Sequence, residues 1–257
     1  MKTVILAGGL GTRLAEETEV KPKPMVEIGG RPILWHIMKH YAHYGVGEFV
    51  VPLGYLGDVI RRYFLDYPTL RRTISVDLGT GRVELEDHEP VEPWRVHLVE
   101  TGAETNTGGR VWQLERWLKD GTFFLTYGDG VSDINLDRLV TFHRTQGRLA
   151  TITAVRPPSR FGGLELDGDA VTTFIEKPEI GEGWINGGFM VLEPGVFEYL
   201  RGPDDSLEQD TMRRLAEDGQ LSAFRHTGFW QSMDTLRDVR LLQSLWRSER
   251  PPWKLWS

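Results

Sequence analysis

The chain of 257 residues contains no cysteine, and this absence removes several kinds of chemistry. Without thiols there is no disulfide, no zinc-thiolate centre and no thiol nucleophile. Long hydrophobic runs are also missing, since no stretch approaches the ~20 apolar residues that span a bilayer. We therefore expect no membrane partner. Because strand-like residues follow the first Met without a signal-peptide pattern, we expect a cytoplasmic protein.

Positive charge is in deficit as well, at 30 Lys and Arg residues against 37 Asp and Glu residues, a formal net charge of −7. Surfaces that bind nucleic acid are basic, so this balance predicts no nucleic-acid partner. The 40% of hydrophobic and 26% of charged residues are ordinary for a globular protein. No repeat, low-complexity segment or linker divides the chain. We predict a single domain over 1–257, with halves 1–148 and 149–257.

Short apolar runs alternate with helical patterns through the first half of the chain. The predicted strands are 3–7, 48–52, 96–100 and 122–127. One predicted helix begins near Pro32, and two others cover 58–67 and 108–118. This alternation predicts an α/β fold, a mostly parallel Rossmann-like sheet with helices on both faces. A hairpin is predicted over 73–86. The second half is rich in strands, with predicted helices over 195–200, 207–218 and 235–247.

The first predicted strand ends in the sequence GGLGTRL at residues 8–14, and KPKPM follows at 21–25. Glycines at positions 8, 9 and 11 lack a Cβ, so successive backbone N–H groups can converge on an anion. Arg13 and Lys23 add positive charge that can spread over phosphate oxygens. The segment therefore predicts nucleotide binding with phosphate chemistry.

Two familiar phosphate loops are disfavoured by what this segment lacks. Residues 9–14 have leucine where the dinucleotide fingerprint has its third glycine, and the strand 48–52 does not end on a ribose-binding acid. The Gly-Lys-Ser/Thr sequence of a P-loop is missing too. The sequence shows no Ser-His-Asp arrangement, and we interpret His36 and His40, four residues apart, as structural.

The two segments resemble the signature of the sugar-1-phosphate nucleotidyltransferases, the enzymes that make nucleotide sugars. Further motifs of that family follow in its order: YGDG at 127–130, EKP at 176–178, NGG at 186–188 and GFWQSMDT at 228–235. Segments 21–30, 91–94 and 234–238 are most similar to its cytidylyltransferase branch. The resemblance implies a nucleotidyltransferase sheet with a smaller sugar-binding lobe. It also implies Mg²⁺-dependent transfer of CMP from CTP to glucose 1-phosphate, and we expect a homo-oligomer.

The same resemblance implies roles for individual residues. Lys23 contacts the phosphate under attack, and Arg13 faces the departing pyrophosphate. Asp129 and Asp234 are the predicted Mg²⁺ ligands, which agrees with the one or two carboxylates that Mg²⁺ usually takes. The predicted nucleotide-binding residues are Leu6, Ala7, Gly8, Gly9, Gly11, Thr12, Thr107 and Gly108. The predicted sugar-phosphate-binding residues are Glu176, Lys177, Asn186 and Gly188.

From the residues alone, other interpretations stay open. Asp129 also fits a turn, Asp234 fits the N-cap of the last helix, and Asp133 is predicted to cap a helix beginning near Asn135. Transferases for UTP, dTTP, GTP or ATP share the loop. A nicotinamide dehydrogenase is disfavoured by the missing third glycine. An inactive regulatory homologue is disfavoured because the charged site residues are all present.

Overall fold

The computed structural model describes residues 1–9, 14, 18–69, 72–85, 92–157, 163–167, 170–175 and 183–256. Five predicted site residues lie outside the described residues: Gly11, Thr12, Arg13, Glu176 and Lys177. Their roles therefore stay predictions.

Strands and helices alternate along the described chain. The strands are β1 (Thr3–Leu6), β2 (Glu27–Ile28), β3 (Arg31–Pro32), β4 (Glu48–Leu53), β5 (Ile74–Asp77), β6 (Arg82–Leu85), β7 (Arg95–Glu100), β8 (Phe123–Tyr127), β9 (Gly130–Ser132), β10 (Ala150–Val155), β11 (Gly163–Asp167), β12 (Ala170–Ile175), β13 (Ile185–Asn186), β14 (Met190–Leu192), β15 (Leu221–Arg225) and β16 (Trp230–Ser232). The helices are α1 (Ile33–His43), α2 (Gly57–Asp66), α3 (Thr107–Trp112), α4 (Glu115–Leu118), α5 (Leu136–Gln146), α6 (Met212–Glu217) and α7 (Leu236–Trp246).

Eight of these strands form the central sheet, in the order β13-β10-β14-β8-β1-β4-β7, with β15 paired to β10. β8, β1, β4 and β7 run parallel, as their alternation with helices predicts. β14 lies antiparallel to both β8 and β10 and so joins the second half of the chain to the first. The predicted α/β fold with a mostly parallel sheet is confirmed. The predicted boundary between halves, at 148/149, stays a prediction.

Adjacent side chains of β1 enter two different cores, because a strand alternates its faces. Ile5 lies in the core that packs against α1, α2, α5 and α7. Val4 and Leu6 lie in the core that packs against α3, α4 and α6. Burial of each such side chain stabilises the fold by roughly 1.5–3 kcal/mol. Helices therefore cover both faces of the sheet, as predicted.

Three predicted helices differ from those in the structure. The helix over 108–118 is interrupted, because the N–H of Leu114 bonds the carbonyl of Val111, only three residues back. Residues Pro194–Tyr199 form a 3₁₀ helix. The helix over 207–218 begins as a π turn, in which the N–H of Thr211 reaches the carbonyl of Ser206.

The helix caps also correct two interpretations. Asn135 caps α5 by accepting a hydrogen bond from the N–H of Arg138 at 2.9 Å, so the prediction that Asp133 is the cap was wrong. Thr235 caps α7, with Asp238 completing a capping box. Asp234 is therefore not the cap of the last helix, and its carboxylate instead accepts a hydrogen bond from Lys23.

The interpretation of His36 and His40 as structural is confirmed. Both are buried in α1, and burial lowers the pKa of each to about 4, so both are neutral at pH 7. The ring of His36 packs edge-on to Trp246, with centroids 4.6 Å apart, and Trp253 stacks on Trp246. The tryptophans near the C-terminal end of the sequence thus fill a core.

The predicted hairpin over 73–86 is present as β5 and β6, and β11 and β12 form a second hairpin. Small sheets also pair β2 with β3 and β9 with β16. Among the residues that the structure describes, no helix is long and apolar enough to cross a membrane.

Candidate active site

A cavity of about 700 Å³ opens at the carboxyl ends of β1, β7 and β8. Ligands of open parallel sheets bind at this edge. The loops that follow those strands supply most of the wall. The predicted site residues that line it are Leu6, Ala7, Gly8, Gly9, Lys23, Thr107, Asp129 and Asp234.

Lys23 lies at the centre of the charged part of this cavity. It begins a 3₁₀ turn between Pro22 and Pro24, where the fixed φ of proline restricts the backbone. Its Nζ atom donates to Oδ2 of Asp129 at 2.7 Å and to Oδ1 of Asp234 at 2.7 Å. Burial acts to lower the pKa of Lys23, but the two carboxylates outweigh it and raise that pKa above its ordinary value.

The two aspartates reach Lys23 from separate strands that pair with each other. Asp129 directly precedes β9, Asp234 follows β16, and these strands are antiparallel neighbours. The Met233 N–H also donates to the carbonyl of Asp129 at 2.8 Å, which fixes the two loops together. The hydroxyl of Ser232 donates to Oδ2 of Asp234 at 2.9 Å and so orients that carboxylate. The structure thus brings together one predicted catalytic lysine and both predicted metal ligands.

The carboxylate pair fits a divalent cation. One oxygen from Asp129 and one from Asp234 lie 2.7 Å from the Lys23 nitrogen, so the two carboxylates are close enough to share one cation, which here is the ammonium. Within the described ranges, no cluster of three or more His, Asp or Glu side chains suits a metal. Two carboxylates are sufficient for Mg²⁺, because substrate phosphates and water complete its coordination.

Arg110 is a buried cation that the sequence analysis did not identify. Its side chain is in α3 and only 3% exposed. The guanidinium donates to five acceptors, at distances of 2.7 to 3.1 Å: the carbonyls of Gly8, Leu53, Gly102 and Ala103, and the Thr101 hydroxyl. These acceptors belong to the segments at the ends of β1, β4 and β7. Arg110 therefore holds the ends of these three neighbouring strands in register, and the segments after β1 and β7 line the cavity.

Arg110 also explains the glycine at position 8. A Cβ on Gly8 would overlap the guanidinium, and a Cβ on Gly54 would lie 2.5 Å from its Nη1 atom. Gly9 differs, because a Cβ there would meet open space. The two described glycines of the loop thus serve different purposes: Gly8 admits Arg110, whereas Gly9 leaves the backbone accessible to a ligand.

We expect Arg110→Met to lower the free energy of unfolding by about 2–4 kcal/mol, because it leaves buried carbonyls without a donor. Urea denaturation followed by circular dichroism measures the loss. Arg116→Met, at an exposed arginine of α4 that lies over the Trp117 ring, is the matched control and should cost less than about 1 kcal/mol. Equal stability of Arg110→Met and Arg116→Met would contradict the structural role.

Tyr127 and Glu208 form a second connection that the sequence analysis missed. The Tyr127 hydroxyl donates to Oε1 of Glu208 at 2.8 Å and accepts from Nδ2 of Asn186 at 3.2 Å. Burial and the Glu208 carboxylate raise the pKa of Tyr127, so it stays a neutral donor. The Thr107 hydroxyl donates to Oε2 of Glu208 at 2.7 Å. Thr107, a predicted nucleotide contact, is thereby linked to Asn186, a predicted sugar contact.

Gly188 and Gly108 are both glycines for reasons of close approach. Gly188 has φ of +75°, and a Cβ there would lie 3.0 Å from Cδ2 of Tyr127. Its N–H donates to Oδ1 of Asn186 at 3.0 Å. Gly108 faces the backbone of Asp205, whose carbonyl oxygen would lie 2.7 Å from a Cβ. Thr107 therefore lines the cavity, whereas Gly108 packs behind it.

Glu208 precedes α6 and carries no local sequence signal, since an acidic residue in the first turn of a helix is usual. Tyr127 stood in the YGDG motif, but its hydroxyl partners are distant in sequence. Arg110 resembled an ordinary helical arginine. The three were missed because their contacts are made only in the folded chain.

The chain is similar to known proteins over its whole length. A profile described as nucleotidyl transferase matches residues 2–248. The chain is 49% identical to the glucose-1-phosphate cytidylyltransferase of Salmonella typhi and 44% identical to the probable glucose-1-phosphate cytidylyltransferase of Bacillus subtilis, each over the whole of both chains. The crystal structure of HddC from Yersinia pseudotuberculosis superimposes with a TM-score of 0.68 at 25% identity, covering 95% of this chain and 98% of HddC.

Proposed function

Since the chain belongs to the nucleotidyl transferase family, we propose that it transfers CMP from CTP to α-D-glucose 1-phosphate, giving CDP-glucose and pyrophosphate. The observation that carries the chemistry is the Lys23 ammonium held between Asp129 and Asp234 beside the glycine loop. Full-length similarity to glucose-1-phosphate cytidylyltransferases supports this choice of substrates.

In this reaction an oxygen of the sugar phosphate forms a bond to the α-phosphorus of CTP, and the bond from that phosphorus to the pyrophosphate oxygen breaks. The attacking oxygen is already a sufficient nucleophile, so no covalent enzyme intermediate is needed. The barrier is electrostatic, because two polyanions must approach while negative charge moves onto pyrophosphate. Positioning and positive charge are therefore what the protein must supply.

The proposed roles follow from this requirement. Lys23 donates to the phosphate under attack, and Arg13 holds the departing pyrophosphate. The backbone of the segment 6–9 contacts the nucleotide, where Gly9 leaves space for it. Glu176 binds sugar hydroxyls, and Lys177 binds the sugar phosphate. Asn186 and Gly188 line the hexose side, a role that the hydrogen bond of Asn186 to Tyr127, which lines the cavity, supports.

Enzymes of this family generally use a divalent metal, and Mg²⁺ is the metal that we propose. Asp129 and Asp234 would hold it, since the two carboxylates are close enough to share one cation, as they share the Lys23 ammonium. When bound, the ion neutralises charge on the phosphate oxygens. We further propose that the reaction takes place in the cytoplasm, where CTP is available, and that the chain self-associates.

We expect kcat/KM for CTP to exceed that for UTP by about tenfold or more. Cytosine has an exocyclic amine where uracil has a carbonyl, so acceptors placed for that amine leave UTP with an unpaired, repulsive edge. An unpaired buried polar group costs roughly 1–3 kcal/mol. Pyrophosphate release, measured with five nucleoside triphosphates at constant glucose 1-phosphate, tests the order. Equal or inverted values for CTP and UTP would refute the base choice and leave the transfer chemistry intact.

A further inference from the structure

The carboxylate of Glu208 accepts hydrogen bonds from three hydroxyl groups. Tyr127 donates to Oε1 at 2.8 Å, while Thr107 and Ser206 donate to Oε2 at 2.7 and 3.2 Å. Tyr127 and Thr107 both line the cavity, although they are 81 and 101 residues away from Glu208 in the sequence. An exposed glutamate in the first turn of a helix usually points its carboxylate into water. Here both of its oxygens contact the cavity wall instead.

This carboxylate determines the direction of the surrounding hydrogen bonds. An ionised carboxylate only accepts, so each hydroxyl turns its proton toward Glu208 and presents its oxygen to another donor. Each oxygen accepts one N–H group: Tyr127 from Nδ2 of Asn186 at 3.2 Å, Thr107 from the backbone of Leu207 at 3.0 Å, and Ser206 from the backbone of Gln209 at 3.1 Å. Each hydroxyl is thereby both a donor and an acceptor, which fixes its orientation.

The hydrogen bond from Tyr127 continues to Asn186, a residue that we propose on the hexose side. Nδ2 of Asn186 donates one N–H to Tyr127, and its Oδ1 accepts from the N–H of Gly188 at 3.0 Å, so both ends of the amide are held. These two contacts also set the direction of the second N–H on Nδ2. A sugar hydroxyl oxygen is an acceptor of the right chemistry for it.

The hydrogen bond from Thr107 fixes the start of α3. Thr107 is the first residue of α3, and its hydroxyl joins this helix to the turn Leu207–Thr211 through Glu208 and Leu207. Asn106, the N-cap of α3, lines the cavity beside Thr107. Glu208 therefore holds the end of α3 that we expect to contact the nucleotide.

We propose that Glu208 is a positioning residue for both substrates. Through Tyr127 it directs the Asn186 amide toward the hexose, and through Thr107 it holds the start of α3 against the nucleotide. This inference rests on the proposed function, and it adds a residue that itself touches neither substrate. Since a separate oxygen of Glu208 serves each of the two connections, each can be removed without the other.

Steady-state pyrophosphate release by Tyr127→Phe, Thr107→Val and Glu208→Ala tests this assignment. We expect Tyr127→Phe to raise KM for glucose 1-phosphate by about tenfold and Thr107→Val to raise KM for the nucleoside triphosphate by about tenfold. Each should change the other KM by less than about threefold, whereas Glu208→Ala should raise both. A loss of less than about threefold in kcat is expected throughout, because the contacts of Lys23 with the two aspartates do not involve this network.

Three further variants separate positioning from a general loss of structure. The double variant Tyr127→Phe/Glu208→Ala should have the same KM for glucose 1-phosphate as Glu208→Ala, because both changes remove one connection. Glu208→Gln keeps the size of the side chain but has a single acceptor oxygen, so it should restore one KM and not both. Glu217→Ala, at an exposed glutamate of α6 that contacts Arg213, is the matched control and should leave both KM values unchanged. Circular dichroism verifies the fold of each variant.

The wild-type chain distinguishes failure of this inference from failure of the proposed function. The nucleotide in these assays is the triphosphate that the wild type uses best with glucose 1-phosphate. A wild type that releases no pyrophosphate with any of the five triphosphates overturns both the function and the inference. With an active wild type, unchanged KM values in Glu208→Ala overturn the inference alone. So do equal effects of Tyr127→Phe and Thr107→Val on the two substrates, additive losses in the double variant, or full recovery of both KM values in Glu208→Gln.

Discussion

Replacement of Lys23 by methionine is expected to lower kcat at saturating CTP and glucose 1-phosphate by 100-fold or more, about 3 kcal/mol of transition-state stabilisation. The reason is that, in the proposed mechanism, this ammonium contacts the phosphate under attack; it lies on the wall of the cavity between Asp129 and Asp234. Methionine keeps most of the length of the side chain and removes only the charge and the donors. Steady-state pyrophosphate release measures the loss.

Lys21→Met is the matched control, because Lys21 also precedes a proline in the same KPKP sequence but does not line the cavity. We expect it to keep most of the turnover. Binding of Mn²⁺ to Lys23→Met, followed by electron paramagnetic resonance, should persist, since both carboxylates remain. A variant of Lys23 with wild-type kcat and only a raised KM would show that the lysine binds substrate without stabilising the transition state.

The second large effect is expected at the carboxylate pair. Asp129→Asn and Asp234→Asn keep the size of each side chain and remove its charge, so each should lower Mg²⁺-supported kcat by on the order of 100-fold or more. The double variant should be little worse than either single variant, because one shared site can be lost only once. Mn²⁺ binding should weaken in parallel with activity in all three.

Asp133→Asn supplies the control for these substitutions. Asp133 is a nearby carboxylate that contacts His226 at 3.0 Å rather than Lys23. Its replacement should leave Mn²⁺ binding unchanged. Fully additive losses in the double variant, with folding intact by circular dichroism, would count against a common site.

The local pattern of the sequence predicted the parts of the fold that depend on near neighbours. Short apolar runs predicted the strands β1, β4, β7 and β8, and apolar residues at helical spacing predicted the helices that follow them. The spacing of the apolar residues along the sequence distinguishes a strand from a helix. Pro and Gly marked the loops. Where hydrogen bonding departs from the α pattern, as at Leu114 and Thr211, periodicity gave no warning, since the apolar spacing is the same.

In the candidate site, too, the sequence predicted some features and the structure supplied the others. The glycine loop, Lys23 and both aspartates could be identified from motifs, because each motif is continuous in the chain. That Lys23 contacts Asp129 and Asp234 depends on bringing together residues 106 and 211 positions apart. A sequence motif does not show which side chains from distant parts of the chain are in contact.

By itself, then, the sequence predicted the strands and helices of the parallel half, the glycine loop and the residue types that the proposed chemistry requires. Only the tertiary structure decided that Arg110 holds three loops through five acceptors and that Tyr127 and Glu208 connect Thr107 to Asn186. The physical reason is that strand and helix periodicity arise from local backbone geometry. A buried cation, by contrast, is stable only where acceptors from several segments converge on it.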